Sequence, residues 1–378
     1  MPEQTLPTTP GARIALLIKR SNVAEGELSD IVDLPDGVTV VDVLEDRYAL
    51  SPTDLVVVAD LLNVPATTLT GQMPIDRHLG VSLRIGSAEI SDVPVEALEY
   101  ADILLQHQAV LDSWLGEISN LLHEVPMSTD RYFVQAGRRS AERVRDALSL
   151  DYAPIPDLLG LVESLGFPIV FRQLPQHIHG LNIRDEREGR PSRIIVVSTR
   201  GPWTMQRYTI AHELCHALYD DKDQVIVDRV DLPDVLPELR AERFARHLLL
   251  PADGLRQDVK ALRGAGTDWA LVTARLMLRW GVSRKTLLRA LVDDGLATQA
   301  DLQGAKDIQL SELMQSAGIR DQWNDLLEGQ CDESGSSLLM HRALEAFSRG
   351  WISVRVVAEI LGQTQAETEL ELTAQGWL

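Results

Sequence analysis

His212-Glu213-Leu214-Cys215-His216 is the stretch on which the reading of this chain turns. Two histidines four residues apart on a helix lie on one face, one turn apart, where both imidazoles can bind a single metal ion. Glu213, next to His212, can reach a water held on that ion. Zinc lowers the pKa of such a water toward neutrality, and a carboxylate can accept its proton as it attacks a carbonyl. The pattern needs a helix, and the surrounding residues predict one over about Thr204 to Tyr219. Its other face, Ile210, Ala211, Leu214 and Leu218, is apolar. His212 and His216 are therefore candidate zinc ligands, with one ion per chain, and Glu213 is the candidate general base.

A catalytic zinc takes a third protein ligand and keeps a position open. Downstream of the metal helix, Asp220, Asp221, Asp223, Asp228 and Asp231 fall in a loop, and a second helix is predicted from about Asp234 to Leu250, stopped by Pro251. On it Glu238 shares a small and apolar face with Ala241, Ala245 and Leu249, which makes it the best third ligand. Glu242, one turn on, is the alternative, either as ligand or as a partner for the second ring nitrogen of a metal-bound histidine. Tyr208, Tyr219 and His247 are candidate transition-state donors. Upstream, Phe167 to Phe171, His179 to Ile183 and Arg193 to Val197 read as three short strands. Arg184 to Arg190 reads as a charged turn, and Arg138 to Leu148 and Pro156 to Leu165 read as helices.

These residues resemble a known family. Arg207-Tyr208-Thr209-Ile210-Ala211-His212-Glu213-Leu214-Cys215-His216 is similar to the first signature of the ImmA/IrrE metallopeptidases, and Glu238 through Pro251 is similar to the second. The likeness covers about Arg138 to Leu262. It implies a zincin-like core in which His212, His216 and Glu238 hold zinc and Glu213 is the base. It also implies an endopeptidase acting on a protein substrate such as a helix-turn-helix transcriptional repressor, in stress or mobile-element regulation. Two positions depart from the family pattern: Glu242 stands where asparagine is usual, and Cys215 where glycine is common. Cys215 reads as a buried structural thiol.

Outside that core the chain reads as helical. Gly11 to Gly71 resembles a worn Xre-type helix-turn-helix domain, with helices Arg13 to Arg20, Glu27 to Val32 and Leu55 to Leu62 and a recognition stretch Asp36 to Asp46. That stretch offers Asp36, Asp42, Glu45 and Asp46 and no basic residue before Arg47, so its charge opposes contact with phosphates and guanines. DNA binding is therefore disfavoured against protein docking. The rival reading is a DNA-binding regulator that uses the metallopeptidase fold as a sensor, without turnover. Between Ser91 and Val125, Ala97, Leu104, Leu111, Ile118 and Val125 recur at sevenfold spacing. Residues 94–125 thus form either a helix packed on its own domain or a homodimerising one. Trp280-Gly281-Val282-Ser283 to Leu296, with Arg284, Lys285 and Arg289, is a second helix-turn-helix-like piece.

The expected fold class is α+β and mostly helical, a metallopeptidase core with a small three-stranded sheet flanked by helical N- and C-terminal domains. The expected organisation is residues 1–80 as the degenerate Xre-like domain, 81–128 as a linker with the long helix, 129–265 as the zinc metallopeptidase domain and 266–378 as a helical C-terminal domain. The 378 residues carry a formal net charge of -20, which opposes nonspecific binding to nucleic acid. There is no apolar run of membrane-spanning length and no secretory pattern in Met1 to Ala12. Two cysteines, Cys215 and Cys331, make no disulfide framework. A cytoplasmic protein with no membrane partner is the expectation.

Overall fold

The structure is a computed structural model and describes residues 9–21, 28, 31, 32, 34, 35, 37–62, 69, 70, 79–85, 95–116, 125–176, 178–187, 190–219, 235–264 and 266–378. The chain divides into two compact units, Met1–His78 and Leu79–Leu378. The first holds helices α1 (Pro10–Ser21), α2 (Val40–Leu44) and α3 (Pro52–Leu61) around Ile14, Ile18, Leu28, Val32, Val43, Val58 and Leu69. Among its described residues, the expected recognition stretch has the single turn of α2. Two of its acidic residues are used locally. Asp42 accepts from the backbone N–H and the hydroxyl of Thr39, at 2.8 and 2.6 Å, and Asp46 accepts from the N–H groups of Gly11 and Ala12 at the start of α1.

The second unit is built on a four-stranded sheet in the order β1 (Leu79–Ile85), β3 (Ile178–Arg187), β4 (Arg190–Ser198), β2 (Ile169–Arg172). β1 and β3 pair antiparallel, as do β3 and β4, while β2 runs parallel to β4. The three expected strands are present, and β1 adds a fourth at the edge. The charged run expected as a turn is mostly strand: β3 continues to Arg187 and β4 starts at Arg190.

Strand alternation assigns the two faces. Ile169 and Phe171 of β2 and Ile195 and Val197 of β4 enter one core, whereas Val170, Leu181, Ile183, Ile194 and Val196 enter the other. Over the first face lie α5 (Phe133–Ala147), α6 (Leu158–Ser164), α7 (Trp203–Tyr219) and α8 (Val235–Leu249). The same core continues through α9 (Ala252–Gly264), α10 (Trp269–Trp280), α11 (Arg284–Asp293), α12 (Gln303–Asp307), α13 (Leu310–Ser316) and α14 (Arg320–Glu328). The second face is covered by α4 (Val95–Leu115), α15 (Ser337–Ser348), α16 (Val354–Leu361) and α17 (Gln365–Ala374).

The helix expected in a linker is therefore α4, and Ala97, Leu104 and Leu111 of its sevenfold stripe are buried inside this unit. His107, on the same helix, is buried and hydrogen-bonds Glu359 of α16 at 2.7 Å. The C-terminal helices belong to both cores of one unit rather than to a separate body. Ser91, where the pattern of the long helix begins, and Ile118 of its stripe lie outside the described residues. Among the described residues no helix is long and apolar enough to cross a membrane.

Candidate metal centre

α7 starts after Pro202, whose carbonyl accepts from the N–H groups of Met205 and Gln206, and it is buried from Thr204 to Ala217 apart from Met205 and Tyr208. Such burial fixes the rotation of the helix about its axis, and so the direction in which His212 and His216 project. α8 crosses beside it and packs on α5, where Gly137 allows close approach: a Cβ there would sit 2.3 Å from the Arg240 carbonyl oxygen. Arg145 of α5 donates to the Leu248 carbonyl at 2.5 Å, tying the far end of α8.

These two helices bring three side chains together. His212 Nε2 lies 2.9 Å from Glu238 Oε2, His216 Nε2 lies 3.2 Å from Glu238 Oε1, and the two Nε2 atoms are 3.1 Å apart. Among the described residues, His212, His216 and Glu238 form a converging group of metal-ligating atoms, all within 4.8 Å of one another. A tetrahedral zinc bound at about 2.0–2.1 Å sets its ligand atoms about 3.3 Å apart, so this set needs only a slight outward shift. The chemistry fits as well: two imidazoles and one carboxylate are the ligands of a catalytic zinc with one open position. Both histidines are buried, whereas a quarter of the Glu238 side chain is exposed. Burial works to raise the Glu238 pKa, but the charges and hydrogen bonds of His212 and His216 prevail and hold it well below the usual carboxylate range.

Glu213 is fully buried and faces β3. A Cβ on Gly180 would lie 2.9 Å from Glu213 Oε1, so the missing side chain there gives the carboxylate its place. Two residues on, Asn182 Nδ2 donates to the Glu213 carbonyl at 3.0 Å, and Arg193 of β4 donates to Asn182 Oδ1 at 3.1 Å. The sequence reading used Gly180 and Asn182 only as strand residues. The available signal was alternation: Leu181 and Ile183 supply the apolar face of β3, so Gly180 and Asn182 must face α7.

The other candidates lie elsewhere. The Glu242 carboxylate points toward Arg289 of α11, 3.6 Å away, and not toward the histidines. The Tyr208 hydroxyl donates to the Glu242 carbonyl at 3.1 Å. The Tyr219 hydroxyl bonds the Ser128 and Ala136 carbonyls and Ser140 Oγ, beneath the Arg240 guanidinium. His247 is nine residues beyond Glu238 on α8, about 13 Å along the axis. Its pKa is lowered to about 4 by burial and by Arg246 and Arg138. Cys215 is fully buried in the first core. The loop aspartates considered as ligands lie outside the described residues.

Residues 162–292 match a peptidase family model described as the IrrE N-terminal-like domain. The matched span runs from within α6 to within α11 and contains β2 to β4, α7 and α8, and thus every ligand candidate. It starts later than the likeness seen in the sequence and extends further, through α10 and most of α11. The match supports the ImmA/IrrE likeness and a metallopeptidase-type chemistry for this part of the chain. No curated protein and no solved structure matches.

Proposed function

We propose that this chain is a zinc-dependent endopeptidase that hydrolyses a bond in a protein substrate. The observation that carries the proposal is the meeting of His212, His216 and Glu238 beside a buried Glu213. Bound zinc would supply a Lewis acid and a water acidic enough to be deprotonated near neutral pH. His212 and His216, from one helix, and Glu238, from the next, would hold the ion. Glu213 takes the proton of the attacking water and delivers it to the departing amide nitrogen. Gly180 leaves room for that carboxylate, and Asn182 with Arg193 fixes the backbone that carries it. The substrate we assign is a helix-turn-helix transcriptional repressor met in the cytoplasm, following the family likeness.

The test is co-expression of the full chain with repressors encoded beside it, followed by mass spectrometry of the products. Glu213→Gln should keep zinc and lose cleavage by a factor of at least about a hundred. A Glu213→Gln variant that still cleaves would overturn the role given to Glu213, and a regulator whose output ignores this substitution would favour a binding protein without turnover.

A further inference from the structure

The helix-turn-helix-like piece around α11 takes no part in the metal centre, yet it forms a groove of about 510 Å³ with the segment that follows it. Leu288 and Val292, one turn apart on α11, make its floor with Leu302. Lys285 and Arg289, also one turn apart, line it from α11, and Lys306 lines it from α12. All three are exposed. Arg284 lines the groove too and donates to the carbonyls of Ala305 and Ile308, at 3.3 and 2.6 Å, so the two walls are fastened together.

Its charge runs against that of the chain. Four cations (Arg284, Lys285, Arg289 and Lys306) line the groove against one carboxylate, Asp293, in a protein of formal net charge -20. Asp293 is already engaged by Arg243 and Arg246, each at 2.6 Å. A concave, apolar floor between basic side chains matches an apolar residue flanked by carboxylates. Nucleic acid fits less well, since a phosphate backbone has no use for three apolar side chains and is repelled by the rest of the protein. The groove also adjoins the metal helices. Arg289 lies 3.6 Å from Glu242, one turn and about 6 Å along α8 from Glu238. Its near wall is inside the matched domain and its far wall, Gln299 to Lys306, is beyond it.

We infer that this groove is an anchoring site for an acidic peptide segment of the protein substrate, with an apolar side chain seated on Leu288, Val292 and Leu302 and its flanking carboxylates on Lys285, Arg289 and Lys306. That the anchored protein is the substrate rests on the peptidase reading; the binding itself does not.

The test uses the zinc-loaded full chain carrying Glu213→Gln, so that nothing is cut. The probe is a short fluorescein-labelled peptide with one leucine between pairs of glutamates, read by anisotropy. Binding should weaken by on the order of tenfold when lysines replace the glutamates, and likewise when Lys285→Glu and Lys306→Glu are introduced together. Both lysines are exposed, and an unchanged melting temperature will show that the double variant is folded. Serine in place of the peptide's leucine, which leaves the protein untouched, should weaken binding as well. No binding, equal binding of the lysine peptide, or equal binding by the double variant would overturn the site. So would duplex DNA that displaces the peptide and loses its own binding in that variant. Intact peptide binding alongside failed cleavage by the unmodified chain would instead sink the peptidase reading and leave the groove standing.

Discussion

Gly180→Ala probes the least forgiving contact of the centre. The new Cβ would lie 2.4 Å from Thr209 Cγ2, 2.9 Å from Glu213 Oε1 and 3.1 Å from Glu213 Cγ. Carbon atoms in ordinary contact sit about 3.5–4.0 Å apart, so Thr209 must retreat by about 1 Å and Glu213 by roughly half as much. β3 is hydrogen-bonded on both sides, to β1 and β4, and cannot yield, so the displacement falls on α7. Overpacking of this size costs about 1–3 kcal/mol of stability. A shift of up to about 1 Å in a reacting group costs about a hundredfold in turnover. Urea unfolding, zinc content and initial cleavage rates report the three parts separately: lower stability, unchanged zinc and a lower kcat. Adding Thr209→Ser removes the worst clash and should restore part of the stability while the rate stays low, because the Glu213 contact persists. Gly180→Ala turning over at the unmodified rate with zinc in place would refute the role given to this position.

Further expectations follow from single contacts. Asn182→Ala strips the Glu213 carbonyl of a buried donor and should cost about 1–3 kcal/mol in urea unfolding, with kcat falling more than KM rises. Glu238→Ala should weaken zinc binding by more than about a hundredfold, whereas Glu242→Gln, whose carboxylate faces Arg289, should leave it nearly unchanged in calorimetry. His247 stays neutral in the folded chain down to about pH 4, below the ordinary histidine value. The unfolded chain therefore binds the extra proton first. The contribution is complete above about pH 6.5 and is lost as pH falls toward 4, up to about 3 kcal/mol. His247→Gln should flatten that part of the stability profile, measured by urea unfolding against pH.

α7 was legible because its signal is local: four residues of spacing, an apolar opposite face and a neighbouring apolar strand specify both the helix and the direction in which His212 and His216 project. Glu238 was half legible. Its helix and face could be read, but Glu242 shares that face, and Arg289, some 50 positions away in the chain, is what draws Glu242 aside. β1 carried an alternating pattern, Leu79, Val81, Leu83 and Ile85 between Gly80, Ser82 and Arg84, which a boundary set at residue 80 divided. The part played by α15 to α17 was hidden for another reason. An amphipathic stripe tells that a face is buried and not which surface buries it, and here the partner is the far side of a sheet more than 130 residues earlier. The directions of the Tyr208 and Tyr219 hydroxyls were not legible because they depend on tertiary neighbours such as Ser140 and the Glu242 carbonyl.

Zinc titration of the metal-depleted full chain, followed by calorimetry and elemental analysis, tests the central claim most directly. The account predicts one ion per chain, lost in His216→Ala and in Glu238→Ala and kept in Glu213→Gln and Glu242→Gln. Zinc bound equally well by the unmodified chain and by His216→Ala, or not bound at all, would contradict it.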